Sequence, residues 1–416
     1  MINIGILGHG IVGSGVVEVL LKNTESITRK AGQEIHIKKI LDIRDFPELD
    51  YSNLFTKDAN EILDDDDIDV IVEVLGGLDP SYQFVIRAMR SGKHVITSNK
   101  ELVAQFGGEL SKLARECNVN FLFEASVGGG IPIIRPLNQC LAANEISVVM
   151  GILNGTTNYI LTKMKGEDVG FLDALADAQK NGYAEKDPSA DVDGIDSRRK
   201  IAILAAIAFG KAVRDDEIFT EGIRDISKVD MKYAAKLGYT IKLVASAEKK
   251  ENEIMIKVCP VMLDFTNPLA NVEDVFNGIL VKGDAIGDVM FYGRGAGRLP
   301  TASAVVADII DAVKHLKSIK NGPYIQNSPE SLLDIRDMEL RYFIRIGYSI
   351  KAQAQEIISV AFPACTFFEL DDNVLNHEFA VITAIDKERN LQKNLENLKN
   401  QNDKIQIRNR IRITND

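Results

Sequence analysis

The chain has 416 residues, with 49 lysines and arginines against 60 aspartates and glutamates, and a formal net charge of −11. This length predicts two or three domains with a large core, and the acidic balance argues against nucleic acid and anionic membranes as partners. The sequence has no CxxC or HxxxH spacing, which argues against a zinc site and a disulfide framework. It also has no apolar run of membrane-spanning length and no signal-peptide pattern, which predicts a cytoplasmic protein.

The first elements predict a strand, a glycine turn and a helix. INIGIL is a short β-branched strand, and GHGIVG follows at once with Gly8, Gly10 and Gly13 in GxGxxG spacing. A helix of the type SGVVEVLLKN comes next, so the turn and the helix N-terminus can bind a pyrophosphate. The alternative is a glycine-rich turn without a ligand. A second strand, EIHIKKILDIRD, arrives later than usual, which predicts a long first helix or an inserted loop.

Strands and helices continue to alternate up to about residue 134. DDDDIDVIVEVLGG, HVITSNK and FLFEASVGGGIPII contain strands, and SYQFVIRAMRSG is a helix. Alternation of this kind predicts a Rossmann-type, doubly wound parallel sheet with ligand contacts at the carboxyl ends of its strands. Lys100 follows one of these strands, where it either contacts the ligand or caps a loop. We expect a dinucleotide-binding domain over 1–134.

From about residue 135 the pattern changes to an α+β domain that we expect to extend to residue 300. ISVVMGIL is a strand, NGTTNYILTKM a turn into a helix, and YTIKLVASAE and EIMIKVCPVML two strands of an antiparallel sheet. TASAVVADIIDAVKHL, with a Thr or Ser start, supplies helix 301–316, which completes the first domain. Turn-forming residues predict a linker over 317–336.

The polar stretch GYAEKDPSADVDGIDSRRK leads directly into the apolar helix IAILAAIAFG. If the helix begins near Gly194, Asp196 and Lys200 lie one turn apart on one face. Arg198, Arg199 and Lys200 crowd the helix N-terminus, where the dipole disfavours cations, so an anionic group should compensate them. The pattern alone leaves two interpretations open, which are an ordinary surface ion pair and a lysine held near acids to meet a carbonyl oxygen.

The last segment, 337–416, predicts a small domain in the order βαββαβ. MELRYFIRIGY, CTFFELDD, HEFAVITAID and KIQIRNRIRIT are strands, and KAQAQEIISVA and ERNLQKNLENLKN are helices. This order resembles the ACT regulatory module. The effector loop of that module carries an Asp-x-Pro-Gly turn, whereas IGYSIKAQAQE has neither the proline nor that glycine, so its helix N-terminus is poorly placed to bind an amino-acid carboxylate.

Residues 1 to about 316 resemble the homoserine dehydrogenase family. The resemblance is carried by GHGIVGSGVV, HVITSNKELVA, FEASVGGGIPII, GILNGTTNYILTKM, GYAEKDPSADVDGIDSRRKIAILAAIAFG, LGYTIKLVA, NPLANVEDVFN and FYGRGAGRLPTASAVVADI, in the family's order. It implies reversible NAD(P)H-dependent reduction of L-aspartate 4-semialdehyde to L-homoserine, on the route to threonine and methionine. A homodimer or homotetramer and a bound sodium ion are also implied.

The resemblance assigns a role to each matching residue. Lys200 corresponds to the lysine that stabilises and protonates the developing alkoxide, Asp196 to its acidic partner, and Lys100 to a second lysine near the nicotinamide. Substrate-binding positions are Glu185, Asp191, Tyr183, Gly155 and Thr156. The dinucleotide turn is Gly8, Gly10, Ile11, Val12 and Gly13. The sodium site, made mostly of backbone carbonyls in the family, is Glu124, Val127, Gly129 and Ile131.

Arg44 resembles the family's contact to the ribose phosphate, which favours NADP because a guanidinium suits a phosphate. Asp42 and Asp45 argue for NAD, since an acid at this place normally selects the free 2′-hydroxyl. Two other functions remain open. A phosphorylating semialdehyde dehydrogenase would need a cysteine nucleophile and a histidine base, and a non-enzymatic sensor would bind dinucleotide and amino acid without turnover.

Overall fold

The computed structural model describes residues 1–318, 331–370, 377–399 and 404–414. These residues divide into two compact units. The first contains 1–149, 199–217 and 279–318, and the second contains 150–198, 218–278 and the described residues from 331 onward. The predicted domain boundaries remain predictions, and most of the predicted linker 317–336 lies outside the described residues. No helix among the described residues combines the length and the apolar character that crossing a membrane requires.

The chain begins with eleven strands and α-helices, all in the first unit. They are β1 (Ile2–Leu7), α1 (Ile11–Lys22), α2 (Thr24–Ala31), β2 (Ile35–Leu41), β3 (Phe55–Thr56), α3 (Asn60–Leu63), β4 (Val70–Glu73), α4 (Ser81–Arg90), β5 (His94–Thr97), α5 (Lys100–Glu116) and β6 (Phe121–Leu122). Their strands form a six-stranded sheet in the order β3-β2-β1-β4-β5-β6. Every pairing in it is parallel, so the predicted doubly wound parallel sheet is confirmed.

The delay before β2 has a local cause. The first helix ends at Lys22, and a second helix, α2, follows immediately from Thr24 and ends on Gly32 in the left-handed conformation. The sequence left a long helix or an inserted loop open, and the chain instead uses two helices. Ile27 and Ala31 of α2 are buried in the same apolar cluster as β1 and α1, so the extra helix covers the sheet.

The remaining elements of the described chain belong partly to the first unit and partly to the second. They are β7 (Ile146–Ile152), α6 (Gly155–Glu167), α7 (Phe171–Lys180), α8 (Ser189–Val192), α9 (Ile195–Phe209), β8 (Phe219–Thr220), α10 (Lys228–Lys236), β9 (Tyr239–Lys250), β10 (Glu253–Asp264), β11 (Phe276–Gly283), β12 (Gly287–Arg294), α11 (Arg298–Lys314), β13 (Ser331–Leu332), β14 (Glu339–Tyr348), α12 (Lys351–Ala361), β15 (Thr366–Phe368), β16 (Glu378–Ile382), β17 (Asp386–Lys387), α13 (Glu388–Lys399) and β18 (Ile405–Ile413). The division between the units falls within β7, α9 and β11.

Helix α11 belongs to the first unit and begins earlier than expected. The sequence suggested a Thr or Ser start, but the helix begins at Arg298, after Gly297, without a side-chain cap. Pro300 is tolerated because the first turn of a helix has no intrahelical partner for its backbone nitrogen. The helix packs closely on α1, where a Cβ on Gly15 would lie 2.8 Å from the Arg298 carbonyl oxygen.

In the second unit, β9 and β10 form a long antiparallel hairpin, as the sequence predicted. β18 continues this sheet by pairing in parallel with β10, and the order runs β9-β10-β18-β14-β16-β15. The C-terminal segment therefore has the predicted βαββαβ order, with its four main strands arranged 4-1-3-2. Its apolar core packs α12 and α13 on one face of the sheet.

Buried ion pairs join this C-terminal sheet to residues 219–230 of the same unit. The Arg412 guanidinium, 3% exposed, lies 2.5 Å from the fully buried carboxylate of Glu388 in the same C-terminal segment, and 2.7 Å from the partly exposed carboxylate of Glu221. Arg345 lies 3.3 Å from the buried Asp230 carboxylate and donates to the Ser227 hydroxyl at 2.8 Å. Breaking a buried pair of this kind costs roughly 3–5 kcal/mol, so the C-terminal strands are an integral part of the second unit.

Candidate active site

The glycine turn after β1 has the geometry that the sequence predicted. Gly8 has a positive φ of 105°, which only glycine adopts without strain. A Cβ on Gly13 would lie 2.0 Å from the Gly8 carbonyl oxygen, whereas a Cβ on Gly10 would meet nothing within 4 Å. Gly8 and Gly13 are therefore required by the turn itself, and Gly10 leaves open space at the start of α1, where a pyrophosphate can approach backbone amides.

Ile11 and Val12 form the first turn of the same helix. The Ile11 side chain is 73% exposed, which is unusual for isoleucine, and Val12 packs against the core under the sheet. No side chain caps this helix, so its first amides stay available to an anion. The dinucleotide contacts that the resemblance assigns to Ile11 and Val12 stay a prediction.

The carboxyl end of β2 carries an ion pair that touches the glycine turn. Asp42, which is 8% exposed, accepts a hydrogen bond from the His9 amide at 2.9 Å. The Arg44 guanidinium donates to both oxygens of the same carboxylate, at 3.0 Å and 2.9 Å. The bonds from Arg44 hold the pKa of the Asp42 carboxyl far below its usual range, despite partial burial. The expectation of an NADP preference treated Arg44 as available, and here it is engaged.

Helices α5 and α9 place two lysines in the first unit. Lys100 is the first residue of α5, and the side chain of the preceding Asn99 caps that helix by accepting from the Leu102 amide at 3.1 Å. Glu101, beside Lys100, lies 2.7 Å from Arg199, beside Lys200. The anionic compensation expected for the cations of α9 is thus provided to Arg199 by Glu101, and the Lys200 side chain is only 7% exposed.

In the second unit, the amide of Asn154 joins two of the predicted carboxylates. Its Nδ2 donates to Asp191 at 2.7 Å and to Asp196 at 2.9 Å. Its Oδ1 accepts from the Thr157 amide at 2.8 Å and caps α6, which fixes the orientation of the amide. Asn154 was not among the residues predicted from the sequence. Its signal was an asparagine directly before a helix in NGTTNYILTKM, which is typical of an N-cap.

Three of the other predicted substrate residues, Gly155, Thr156 and Tyr183, lie at the start of α6. Thr156 donates from its hydroxyl to the Tyr183 carbonyl at 2.7 Å, so the 183–191 stretch is fastened to this helix. Gly155 is required here because a Cβ would lie 2.8 Å from the Val275 carbonyl oxygen. Tyr183 is 45% exposed, and the Glu185 side chain is also exposed. The structure thus brings Gly155, Thr156 and Tyr183 together.

Asn277 is a second residue that the sequence analysis missed. Its side chain is 2% exposed, and within the described residues its Oδ1 has no hydrogen-bond partner. That oxygen lies 3.5 Å from the place a Cβ on Gly155 would occupy. A buried amide oxygen without a partner is costly, so this position suits a hydrogen-bond donor of a bound molecule or a water. No local sequence pattern distinguishes it.

The residues proposed for sodium form a compact loop in the first unit. The buried Glu124 carboxylate accepts from the amides of Ile133, Ile134 and Arg135 at 2.6, 2.9 and 2.7 Å. Gly129 has a φ of 55°, and a Cβ there would lie 2.3 Å from the Gly295 carbonyl oxygen. The Glu124 side chain therefore organises the loop, which leaves its backbone oxygens as the donors for a cation.

This donor set fits a hard cation. In the part of the chain that the structure describes, no hydrogen bond to the carbonyl oxygens of Val127, Gly129 or Ile131 is found. No cluster of three His, Cys, Asp or Glu side chains suited to a metal occurs among those residues either. Carbonyl oxygens suit hard cations, whereas imidazole and thiolate suit transition metals.

The parallel sheet and the glycine turn define a dinucleotide-binding enzyme fold. Two family models match the chain, the homoserine dehydrogenase NAD-binding domain over residues 8–124 and homoserine dehydrogenase over residues 132–310. The homoserine dehydrogenase of Synechocystis is 43% identical over 364 residues, which cover 83% of this chain and 82% of that relative.

Solved structures agree with these matches. A homoserine dehydrogenase from Thiobacillus denitrificans has a TM-score of 0.89 and 36% identity, covering 100% of this chain and 98% of that one. A hyperthermophilic archaeal homoserine dehydrogenase mutant in complex with NADPH has a TM-score of 0.64 and 31% identity, covering 75% and 97%. The chain is an NAD(P)-dependent oxidoreductase. It belongs to the homoserine dehydrogenase family.

Two glycine variants test the turn. We expect Gly13→Ala to lower stability by about 1–3 kcal/mol, because the new methyl group meets backbone that is already in contact. Gly10→Ala should fold as the wild type does but bind NAD(P)+ more weakly, since its methyl group enters open space beside the first amides of α1. Urea unfolding and calorimetric titration measure the two effects. Wild-type stability of Gly13→Ala, or wild-type affinity of Gly10→Ala, would contradict the assignment.

Asn154→Ser separates helix capping from positioning of the carboxylates. Serine also caps helices well, so the free energy of unfolding should change by less than about 1 kcal/mol. The variant lacks the two amide donors, and we expect kcat/KM to fall by roughly 10-fold or more because small misplacements of reacting groups are costly. Asn60→Ser, at an exposed asparagine, is the control. If kcat/KM is unchanged in Asn154→Ser, the amide only caps the helix.

Proposed function

We propose that this chain catalyses the reversible NAD(P)H-dependent reduction of L-aspartate 4-semialdehyde to L-homoserine, in threonine and methionine biosynthesis. The observation that carries the proposal is the buried pair of positions on α9. Asp196 and Lys200, 4% and 7% exposed, lie one turn apart, and Asn154 ties Asp196 to Asp191. An acid and a lysine in this arrangement suit a reaction in which a carbonyl oxygen gains negative charge and then a proton.

When bound, the nicotinamide cofactor supplies the hydride. The protein has to stabilise the oxygen that becomes negative and to protonate it. In the proposal, the Lys200 ammonium donates a hydrogen bond to that oxygen and then supplies the proton, which typically contributes 10²-fold or more in rate. Asp196 keeps the lysine oriented, and Lys100 is the second lysine near the nicotinamide.

The remaining predicted residues hold the two reactants. The first turn of α1, from Gly8 to Gly13 with Ile11 and Val12, would bind the cofactor pyrophosphate. Glu185 and Asp191 would hold the substrate ammonium group, while the amides of Gly155 and Thr156, at the positive end of α6, suit its carboxylate. Tyr183 is the last residue of the proposed substrate site, and its carbonyl accepts a hydrogen bond from the Thr156 hydroxyl.

A sodium ion at Glu124, Val127, Gly129 and Ile131 is part of the proposal. The fit rests on backbone oxygens held by the Glu124 carboxylate and the triple-glycine turn, so we expect the ion to order this loop rather than to take part in proton transfer. We also propose that the enzyme acts in the cytoplasm as a homodimer or homotetramer, as the family resemblance implies.

The cysteines argue against a phosphorylating semialdehyde dehydrogenase, the main alternative. Such an enzyme needs a reactive thiolate. Cys259 is fully buried, and burial raises the pKa of its thiol. Burial also raises the pKa of Cys365, and no described histidine is hydrogen-bonded to a cysteine. Alkylation of exposed thiols should therefore leave turnover intact.

Lys200→Ala tests the proposed catalytic lysine. We expect turnover with homoserine and NAD(P)+ to fall by on the order of 10²-fold or more, while calorimetric affinity for the cofactor changes little, because the lysine acts on the developing oxyanion. Asp196→Asn should be impaired as well, and Lys180→Ala, at an exposed lysine, is the control. A Lys200→Ala enzyme with near-normal kcat would refute the role.

The C-terminal segment provides a second test. We propose that residues 337–416 form an ACT-like module without strong threonine feedback. Ile350 precedes α12 without a side-chain cap, and Lys351, its first residue, pairs with Glu369 at 2.5 Å. A cation at that N-terminus opposes the helix dipole and already has an anionic partner, and the loop lacks the family's proline and glycine.

We therefore expect initial rates to stay nearly constant across a titration with L-threonine. D-Threonine at the same concentrations controls for ionic strength and for weak competition with the substrate. A saturable inhibition by the L-isomer alone, abolished by a substitution at the start of α12 such as Lys351→Ala, would show that the module is regulatory.

A further inference from the structure

The ion pair at the end of β2 uses the full acceptor capacity of one carboxylate. Asp42 Oδ1 accepts from the Arg44 amide and Nε, both at 3.0 Å. Asp42 Oδ2 accepts from the His9 amide and from an Arg44 terminal nitrogen, both at 2.9 Å. A carboxylate offers about four acceptor positions, and here donors of this chain occupy all four.

Arg44 is held from three sides. Besides Asp42, its terminal nitrogen donates to the His9 carbonyl at 3.1 Å, and its guanidinium lies 5.1 Å from the centre of the Phe46 ring. A bidentate Arg–carboxylate pair has fixed geometry and is stronger than an ordinary hydrogen bond. The neighbouring Asp45, in contrast, is exposed and pairs with Lys57 at 2.9 Å.

The location gives this pair a consequence for the cofactor. His9 lies between Gly8 and Gly10 of the glycine turn, and in a dinucleotide fold the carboxyl end of the second strand faces the adenosine ribose. An acid there accepts from the free 2′-hydroxyl of NAD, and an arginine there binds the 2′-phosphate of NADP. This chain has both residues, bonded to each other, so their net charge is zero.

NAD and NADP place different requirements on the Asp42–Arg44 ion pair. A 2′-hydroxyl is neutral and can donate to Asp42 by exchanging with one bond from Arg44. A 2′-phosphate has no proton to donate in its dianionic form and requires Arg44 to leave Asp42. The departure would leave a partly buried carboxylate without its cation beside a phosphate dianion, and like charges at short distance repel.

We propose that Asp42 determines cofactor choice by holding Arg44 away from the 2′-phosphate, so that the chain favours NAD over NADP. This replaces the expectation of an NADP preference that Arg44 alone suggests. The inference rests on the assignment of the glycine turn to the cofactor in the proposed function. It concerns binding and does not depend on which substrate is reduced.

Three variants and a matched control test the proposal. Asp42→Asn removes the charge but keeps an oxygen for the His9 amide, so the turn is preserved. Arg44→Ala and the double variant Asp42→Asn/Arg44→Ala test whether the change in cofactor preference depends on the arginine. Asp45→Asn makes the same change of charge three residues away, at a carboxylate that does not bond to Arg44. Asp42→Ser serves if Asp42→Asn does not fold, as judged by circular dichroism and thermal unfolding.

The readout is calorimetric affinity for NAD+ and NADP+, and for the fragments 5′-AMP and 2′,5′-ADP. The wild type should bind NAD+ more tightly than NADP+. In Asp42→Asn the ratio of the NAD+ to the NADP+ dissociation constant should rise by about tenfold or more, as expected when a bidentate phosphate contact is gained. The gain should vanish in the double variant, and Asp45→Asn should leave the ratio near that of the wild type.

Four results would overturn the proposal. They are a wild-type preference for NADP+ that Arg44→Ala removes, an unchanged ratio in Asp42→Asn, a gain that persists without Arg44, and an equal gain in Asp45→Asn. Failure of both dinucleotides to bind would also overturn it, together with the cofactor assignment. If the affinities switch as expected but homoserine is not oxidised, the inference stands and the proposed substrate is wrong.

Discussion

Holding two carboxylates on one amide is the constraint on which the candidate site depends. Asp191 and Asp196 both accept from one amide, that of Asn154, at 2.7 and 2.9 Å, and like charges that share a site repel. The amide can serve both only if the backbone on each side is immobile. Asn154 is fixed by capping α6, so the precision of the acids derives from the position of that helix.

The position of α6 is set by a polar contact that is itself buried. The Asn158 amide donates to the carbonyls of Val272, Asp274 and Phe276 at 3.2, 2.9 and 3.1 Å. Lys242, 1% exposed, donates to Asn158 Oδ1 at 3.1 Å and to the Val272 carbonyl at 2.6 Å. Burial lowers the pKa of Lys242 to about 8, so this support carries a desolvation penalty. The geometry of the acids is therefore maintained at some expense of stability, which is common at functional sites.

The sequence predicts well what depends on local patterns. The strand, glycine turn and helix at the N-terminus, the β9–β10 hairpin and the βαββαβ order of 337–416 all follow from periodicity and turn residues, and the structure has them. Contacts between residues far apart in the chain have no such pattern. Asn154 meets Asp196 across 42 positions, and Asp42 meets His9 across 33. Each partner alone fits an ordinary cap or surface acid, so only the fold shows that it is shared.

The same limit applies to Glu124 and Arg44, because the sequence does not show which groups of the chain their side chains contact. Sequence resemblance marks Glu124 as part of a cation site, but its carboxylate accepts hydrogen bonds from three consecutive amides. Arg44 is marked as a phosphate contact, but Asp42 neutralises it. In both cases a charged side chain finds a nearer partner within its own chain. A residue type at a motif position therefore indicates a possible contact, and its competing partners decide whether the contact is available.

The buried arginines constrain how the C-terminal strands could influence the site. Arg412 donates to the Glu221 carboxylate and Asn409 to the Asp225 carbonyl. A Cβ on Gly222, next to Glu221, would lie 2.3 Å from the carbonyl oxygen of Val192, which ends α8 directly after Asp191. A shift of the C-terminal sheet that reached α8 would have to separate the buried Arg345–Asp230 pair, at roughly 3–5 kcal/mol. A ligand can move such an equilibrium only by binding one state more tightly by the same amount, about 10²- to 10³-fold or more. The segment is therefore better suited to supporting the acids in one position than to moving them.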